Sequence, residues 1–219
     1  MTACCTPSPG TEGTNKFFSK QAARYVKKFR KKGLAKEQGY LIEGILSAGI
    51  SGTSVLEIGC GVGGVHLTLL NHGASSATGI DIAEGMLNGA KELAREMNLG
   101  DRAKYYSGDF AQIAGDVHEA DVVILDKVVC CYEDVRGLVA KSTGKAKRVY
   151  ALSFPRSTPL SAFLIKTAML LGKILKWSFH PYWHDWDAMV REIRENGFER
   201  RFYRNTLMWD VFVFERTRP

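Results

Sequence analysis

The feature that most constrains the fold is a hydrophobic run that enters a glycine-rich turn. Residues 55–64 read VLEIGCGVGG, a strand-like segment whose glycines lead into a helix-like segment. Glycine allows left-handed backbone conformations and leaves room for the backbone to approach a ligand closely. A buried strand, a glycine turn and a helix in this order form the first unit of many α/β ligand-binding folds. The turn is therefore the first candidate binding site.

Strand-like and helix-like segments alternate along the chain from residue 54 onward. The continuous apolar run at 121–126 is typical of a central strand that is buried on both faces. Such alternation predicts a parallel sheet covered by helices. We therefore expect a doubly wound, Rossmann-like α/β fold with a seven-stranded, mostly parallel sheet, helices on both faces and an antiparallel strand from a C-terminal hairpin. The predicted strands are 54–58, 77–82, 103–107, 121–126, 148–154, 198–204 and 207–215, and the predicted helices are 16–33, 37–48, 64–71, 84–97, 133–141, 160–179 and 185–196.

Positive charge is concentrated near the amino terminus. The net charge is +7, and nine of the 30 Lys and Arg residues lie within residues 16–36, which hold no Asp or Glu. The other 21 basic residues face 23 acidic ones, so the remainder is nearly neutral at −2. We expect a flexible amino terminus and basic helical arm over 1–36 and one domain over 37–219. Such an arm favours a carboxylated small molecule, a phosphate backbone or an anionic membrane surface as partner, although it is also typical of a solvated helix face.

The sequence predicts no targeting segment and no membrane span. The longest mostly apolar stretch, 160–179, is interrupted by Lys166, Lys173 and Lys176, and the amino terminus contains no apolar core of signal-peptide length. We therefore expect a cytoplasmic protein. The apolar stretch fits ordinary core, a cover over a flat apolar substrate that carries carboxylates, or a patch that rests on an anionic membrane. Its place before the closing hairpin favours a helical substrate cover over about 157–184.

The five cysteines indicate neither a disulfide framework nor a zinc site. They are Cys4, Cys5, Cys60, Cys130 and Cys131, an odd number with two adjacent pairs and no C-x-x-C motif. A reducing compartment suits this pattern. The adjacent pairs could supply thiolates to a soft metal or metalloid, but unpaired cysteine is also a common small buried side chain, and we predict no metal site.

The spacing of the glycines alone leaves two ligand types open. Gly59, Gly61 and Gly64 fit the dinucleotide pattern G-x-G-x-x-G, and Gly63 in place of Gly64 gives G-x-G-x-G. Glu57 favours the second pattern, because a carboxylate beside the ligand would repel a pyrophosphate and attract a cation. S-adenosylmethionine, a sulfonium that also carries an ammonium group, is such a cation.

With this motif the chain resembles the class I S-adenosylmethionine-dependent methyltransferases, and the resemblance covers roughly residues 37–215. The matching motifs follow one another in the family's order. They are EIGCGVG at 57–63, GIDI at 79–82, GDF at 108–110 and the strand 121–126.

Within this superfamily the chain is most similar to the magnesium-protoporphyrin O-methyltransferases and their uncharacterised bacterial and archaeal relatives. The narrower resemblance rests on residues 125–134, on residues 151–156 and on the basic amino-terminal helix with Phe29. It implies an enzyme that methylates a small molecule.

The resemblance also assigns the residues that bind the cofactor. Asp81 would bind both ribose hydroxyls, which suits a carboxylate with two acceptor oxygens, and Ile82 would pack on the adenine. Asp109 would accept a hydrogen bond from the adenine amino group, and Phe110 would donate its backbone N–H. The alternatives are an exposed strand-end Asp81, a helix-capping Asp109 and a solvated Lys127. The other assigned residues are Glu57, Gly59, Gly61 and Gly63 in the glycine turn and Asp126 and Lys127 beside the methionine moiety.

Methyl transfer from a sulfonium needs alignment more than a catalytic triad, because the reaction is an in-line displacement on an activated carbon. A carboxylate acceptor is already a nucleophile at neutral pH, whereas a phenol, thiol or protonated amine must lose a proton to a base. Candidate bases are Tyr132, His180 and His184, although Tyr132 is also typical of a helix start and the histidines of a polar loop. His66 and His72 flank the first helix after the turn and receive no role.

We expect an S-adenosylmethionine-dependent methyltransferase of a small, anionic and partly apolar molecule, with O-methylation favoured and S-adenosylhomocysteine as product. One alternative is a thiol or metalloid methyltransferase that uses Cys130 and Cys131. Others are an RNA or protein methyltransferase that uses the basic arm, and a cofactor-binding scaffold without turnover. Nucleic acid is disfavoured because the apolar segment lacks aromatic residues interleaved with arginine. Peripheral membrane contact stays open.

Overall fold

One seven-stranded sheet organises the chain in the computed structural model, which describes residues 9–175 and 181–217. The strands are β1 (Ser54–Ile58), β2 (Ser76–Asp81), β3 (Ala103–Ser107), β4 (Ala120–Asp126), β5 (Ala146–Pro155), β6 (Phe198–Asn205) and β7 (Trp209–Arg216). Their order is β3-β2-β1-β4-β5-β7-β6, in which the first five strands are parallel and β7 is antiparallel to both of its neighbours. The predicted fold class and hairpin are confirmed.

The helices cover both faces of this sheet. They are α1 (Pro9–Ser19), α2 (Ala22–Lys32), α3 (Lys36–Ser47), α4 (Gly64–Asn71), α5 (Glu84–Glu96), α6 (Phe110–Ile113), α7 (Val135–Thr143), α8 (Pro159–Ile174) and α9 (Trp186–Glu195).

The central strand β4 shows why the chain needs two helical layers. Val122 and Ile124 pack into the core formed with α3, α4 and α5, whereas Val123 and Leu125 pack into the core formed with α7 and α9. All four side chains are at most 1% exposed. Successive side chains of a strand point to opposite faces, so a strand that is apolar throughout must be covered on both.

The amino-terminal arm differs from its prediction. The sequence predicts one helix over 16–33 after an irregular segment, but the structure contains α1 from Pro9 and α2 from Ala22. Proline is well suited to the first position of a helix because its missing N–H would be unpaired there. Residues 1–8, which contain Cys4 and Cys5, lie outside the described residues.

Close packing holds the arm against α5. A Cβ atom added to Gly85 would lie 2.8 Å from the Cα atom of Ser19, and one added to Gly89 would lie 2.7 Å from Val26 Cγ2. The backbone N–H of Gly85 donates to Ser19 Oγ at 3.0 Å. Arg30 adds ion pairs to two glutamates of α5, Glu92 and Glu96. The basic arm is therefore docked on the domain.

The apolar helix α8 exposes much of its surface. Phe163 is 67% exposed, Leu170 60% and Ile174 65%, so the interpretation of this segment as ordinary core is wrong for these side chains. Residues 176–180, at the end of the predicted helix, are outside the part of the chain that the structure describes. Among the helices of the described ranges, none is long and apolar enough to cross a membrane.

Candidate functional site

A cavity of about 710 Å³ opens at the carboxyl ends of β1, β2 and β4. This is the edge of a doubly wound sheet where ligands bind, next to the point at which the strand order reverses. Its volume suits a cofactor-sized ligand. The walls come from the glycine turn, from the loops after β2, β3 and β4, and from α1 and α2 of the arm.

The glycine turn needs glycine for two separate reasons. Gly59, Gly61 and Gly63 have φ values of 64°, 53° and 81°, in the left-handed region that glycine adopts without strain. A Cβ atom on Gly59 would lie 2.5 Å from Val128 Cγ2, so the turn also packs tightly against the loop after β4. A Cβ atom on Gly61, by contrast, would have no described atom within 4 Å, and this residue lines the cavity. The turn therefore packs against the loop after β4 on one side and borders the cavity on the other.

Asp81 at the end of β2 holds this turn in place. Its Oδ2 accepts a hydrogen bond from the backbone N–H of Gly61 at 2.7 Å, and its Oδ1 accepts one from Ala83 N–H at 2.8 Å. Burial raises the pKa of the Asp81 carboxyl, while these backbone donors oppose the rise. Each carboxylate oxygen can accept a further hydrogen bond. Asp81 lines the cavity and retains the capacity to bind two hydroxyls.

Glu57 is paired with a residue that the sequence analysis left without a role. Glu57 Oε2 lies 2.6 Å from Nδ1 of His66 and accepts the His66 backbone N–H at 3.2 Å. On the other side of the imidazole, Nε2 lies 3.0 Å from the hydroxyl of Tyr105. Both Glu57 and His66 are at most 2% exposed, and burial raises the pKa of the Glu57 carboxyl while His66 opposes the rise. In the sequence, the position of His66 on the helix after the glycine turn was the one indication that it could reach Glu57.

The end of β4 is tied to α3 and β5. Asp126 accepts a hydrogen bond from Gln38 Nε2 at 2.8 Å and another from the hydroxyl of Ser153. Lys127 adopts a left-handed backbone with a φ of 60°, and its ammonium pairs with Glu37. Although burial opposes it, the charges of Asp126 and Glu37 raise the pKa of Lys127. Lys127 is therefore ion-paired inside the site, and the solvated alternative is wrong.

Asp109 caps α6, as one of the two interpretations predicts. Its Oδ1 accepts the backbone N–H of Ala111 at 3.0 Å and the hydroxyl of Tyr132 at 2.7 Å. Asp109, Phe110 and Ile82 all line the cavity. That these three residues contact the adenine stays a prediction.

Two of the three candidate bases, Tyr132 and His184, are already engaged in hydrogen bonds. Tyr132 donates its proton to Asp109, and burial together with that carboxylate raises the pKa of the phenol. His184 Nε2 lies 2.8 Å from the backbone carbonyl of Tyr132, and burial lowers the pKa of this imidazole. His180 lies outside the described residues. The exposed His72 bonds the Thr68 carbonyl of its own helix at 2.8 Å.

Of the two cysteines after β4, Cys130 is buried and Cys131 is partly buried. Cys130 and Cys131 lie with their sulfur atoms 3.5 and 3.4 Å from the carbonyl oxygen of Lys127. The contact with Cys130, together with burial, raises the pKa of the Cys131 thiol. Across the described ranges, no group of three or more His, Cys, Asp or Glu side chains could hold a metal ion.

The arm contributes the remaining wall of the cavity. Phe18, Tyr25, Lys28 and Phe29 line it, and the Phe29 ring lies 3.0 Å from where a Cβ atom on Gly64 would be. Helices that precede the sheet in sequence thereby close over the glycine turn.

Three comparisons with known proteins agree with this geometry. Residues 55–144 match a family model described as "Methyltransferase domain". A curated sterol 24-C-methyltransferase from Gibberella zeae is 31% identical over 93 residues, and the matched region is 42% of this chain but only 24% of that protein. The chain thus spans about a quarter of the length of this relative.

Solved structures resemble nearly the whole chain. Magnesium protoporphyrin IX methyltransferase from Synechocystis has a TM-score of 0.71 with bound S-adenosylhomocysteine, at 22% identity over 93% of this chain and 98% of that one. With bound S-adenosylmethionine the same enzyme gives 0.69, at 20% identity over 97% and 99%. A putative methyltransferase in complex with the Haloferax volcanii Trm112 activator gives 0.70, at 14% identity over 94% and 98%.

The cavity suits S-adenosylmethionine on its own chemistry. An open backbone at Gly61 allows close approach, and the Asp81 carboxylate beside it keeps acceptor capacity for ribose. Glu57, Asp81 and Asp126, at the ends of the strands, form the floor of the cavity. The acidic Glu57 and Asp126 suit a cation. Residues 55–144 therefore match a methyltransferase domain, and the chain has the fold of a methyltransferase whose structures hold S-adenosylmethionine and S-adenosylhomocysteine.

Proposed function

We propose that this methyltransferase acts on an oxygen of a small, anionic and partly apolar acceptor. Bound S-adenosylmethionine would supply an electrophilic sulfonium methyl group that is open to in-line attack. The observation that carries the proposal is the continuous cavity of about 710 Å³, which is lined both by the glycine turn and by the arm. A cavity of this kind encloses a small molecule together with the donor and excludes water.

The arm side of the cavity supports an acceptor with an apolar body. Phe18, Tyr25 and Phe29 present aromatic side chains there, and aromatic walls favour flat apolar groups. Lys28 is the basic residue of the arm among the described residues that line the cavity. An anionic group on the acceptor would therefore be attracted to Lys28, since Lys127 is already paired with Glu37 and Lys141, the other lysine of the cavity wall, donates to the backbone carbonyl of Ala111.

A pre-ionised oxygen suits the state of the nearby side chains. Tyr132 is a donor to Asp109, and its raised pKa makes the phenolate rare at neutral pH. His184 is held by a backbone carbonyl. A carboxylate needs no base, because loss of its hydration shell is enough to make it reactive. The chain's part is then to bind, orient and dehydrate the acceptor.

The thiol or metalloid alternative receives less support. Cys131 lines the cavity but its thiol pKa is raised, and Cys130 is buried. A reactive cysteine needs a lowered pKa to be a thiolate at neutral pH.

The alternative of an RNA or protein acceptor is supported by the basic surface of the arm. Lys27, Lys31 and Lys32 are exposed and leave a basic surface outside the cavity, which suits RNA, an acidic protein or an anionic membrane. This surface is the reason to include RNA and peptides in the test below.

The deciding experiment is incubation with isotopically labelled methyl donor and separate pools of metabolites, RNA and peptides, followed by mass spectrometry. We expect the label in a small organic acid, together with S-adenosylhomocysteine. Lys28→Gln should raise the KM for that acid and leave the affinity for the donor unchanged, whereas Lys31→Gln, outside the cavity, should change neither. Label found only in RNA or peptide would overturn the proposal.

A further inference from the structure

A second cavity lies between α9 and the outer hairpin of the sheet. Its volume is about 410 Å³, and its walls come from one face of α9, from β6 and β7 and from the end of β5. Within the described part of the chain it shares no lining residue with the cofactor cavity. It is therefore a separate place at which a ligand could bind.

One residue of the cavity wall, Trp186, carries a buried donor without a partner. Trp186 is 2% exposed, and its indole N–H has no hydrogen-bond partner among the described residues. A buried polar group normally has a partner, because desolvation without a hydrogen bond is unfavourable. An acceptor atom on a bound ligand would give the Trp186 N–H its missing hydrogen-bond partner.

Three arginines surround the opening. Arg191 and Arg194 come from successive turns of α9, and Arg200 comes from β6. The nearest carboxylate to Arg191 is Asp185 at 3.9 Å, and in the described ranges no acidic side chain forms an ion pair with Arg194 or Arg200. The guanidinium of Arg200 stacks on Phe212 at 4.8 Å. These groups present planar donors toward the cavity mouth.

The acidic groups of the cavity do not cancel this charge. Asp210 accepts the hydroxyl of Tyr203 at 2.9 Å and pairs with Arg156 at 3.3 Å, so it is already compensated. Asp187 is exposed at the helix start. The three arginines and the remaining aspartate leave the cavity positive.

We propose that this cavity binds a small carboxylate with a flat apolar body. Guanidinium groups bind carboxylates through two parallel hydrogen bonds, and the unpaired indole N–H of Trp186 is a further donor in the cavity wall. The rings of Phe154 and Phe212 provide apolar walls for the body of the ligand. The site is independent of the cofactor cavity and of the acceptor proposed above.

Benzoate is a suitable probe, and the full chain can be labelled with ¹⁵N. The indole N–H resonance of Trp186 is assigned as the one that is missing from the spectrum of the Trp186→Phe variant. We expect it to shift saturably as benzoate is added, and we expect Arg194→Gln to weaken benzoate binding about tenfold or more. Arg201→Gln is the matched control, because Arg201 lies next to Arg200 but pairs with Glu199 at 2.9 Å and does not line the cavity.

Three results would overturn the proposal. They are a Trp186 resonance that does not move, equal loss of benzoate affinity in the Arg194 and Arg201 variants, and tighter binding of inorganic phosphate than of benzoate. Calorimetry with S-adenosylmethionine should give the same affinity for Arg194→Gln as for the unchanged chain, which separates this site from the methyl-transfer site.

Discussion

The floor of the cofactor cavity and the arm that closes it are built in different ways. On the floor, Glu57, Asp81 and Asp126 each accept hydrogen bonds from at least two groups of the protein, so their positions are fixed before a ligand arrives. On the arm, Tyr25 and Lys28 line the same cavity but are exposed. A preorganised floor suits the methyl donor, whereas under the proposed function the exposed side chains of the arm would offer adaptable contacts to the acceptor.

Removal of the arm should have the largest effect. Deletion of residues 1–33 takes away one wall of the cavity, so we expect turnover to fall at least about a hundredfold while the sheet stays folded. Circular dichroism should confirm the fold and calorimetry should still detect binding of the donor. Full activity in the truncated chain would contradict a role for the arm in the site.

Substitution of the floor tests cofactor binding directly. Asp81→Ala removes the hydrogen bonds to the backbone N–H groups of Gly61 and Ala83 and the predicted ribose contacts, so we expect affinity for S-adenosylmethionine to fall by roughly five- to 150-fold. Asp101→Ala, an exposed position outside the cavity, is the control. Calorimetry that finds unchanged affinity in a folded Asp81 variant would sink the assignment.

The buried pair on the floor predicts a pH-dependent stability change. His66→Leu removes a partner that lowers the pKa of Glu57, so burial raises that pKa further. A raised carboxyl pKa favours the protonated form of Glu57 in the folded state. The variant should therefore lose most folding stability at neutral pH, and this loss should shrink as the pH falls and Glu57 is protonated.

We expect a loss of about 1–3 kcal/mol in the free energy of unfolding at pH 7. Urea unfolding at pH 5 and pH 7 measures it, with exposed His72→Leu as control. A loss that is the same at both pH values would show that the Glu57 charge is not involved.

Two glycines in helices distinguish docking of the arm from helix propensity. Gly85→Ala places a Cβ atom 2.8 Å from the Ser19 backbone and should loosen the arm, whereas Gly39→Ala meets open space and should stabilise α3 by about 0.5–1 kcal/mol. Limited proteolysis of the arm and thermal unfolding measure the two effects. Equal protection of the arm in both variants would argue against close docking at Gly85.

The smallest effect is expected at the cysteines after β4. Replacement of Cys130 and Cys131 by Ser should leave methylation of an oxygen acceptor largely intact, because Cys130 is buried and the pKa of the Cys131 thiol is raised. The measurement is turnover of the acceptor that the labelling experiment identifies. Complete loss of turnover with retained binding of the donor would favour the thiolate-dependent alternative.

Local patterns in the sequence determined the sheet and the glycine turn. The apolar run at 121–126 predicts a strand buried on both faces, and β4 is such a strand, because side-chain alternation is a property of the strand itself. The left-handed conformations at Gly59, Gly61 and Gly63 likewise follow from residue type and spacing. These features depend on neighbours within a few residues.

Tertiary packing decided which side chains meet. His66 reaches Glu57 because α4 folds back on β1, and the arm closes the cavity because Ser19 and Val26 fit against glycines of α5. The second cavity joins Trp186 to Arg200 across α9 and β6. No periodicity encodes such contacts, since they depend on how whole elements approach one another and on the space their side chains leave.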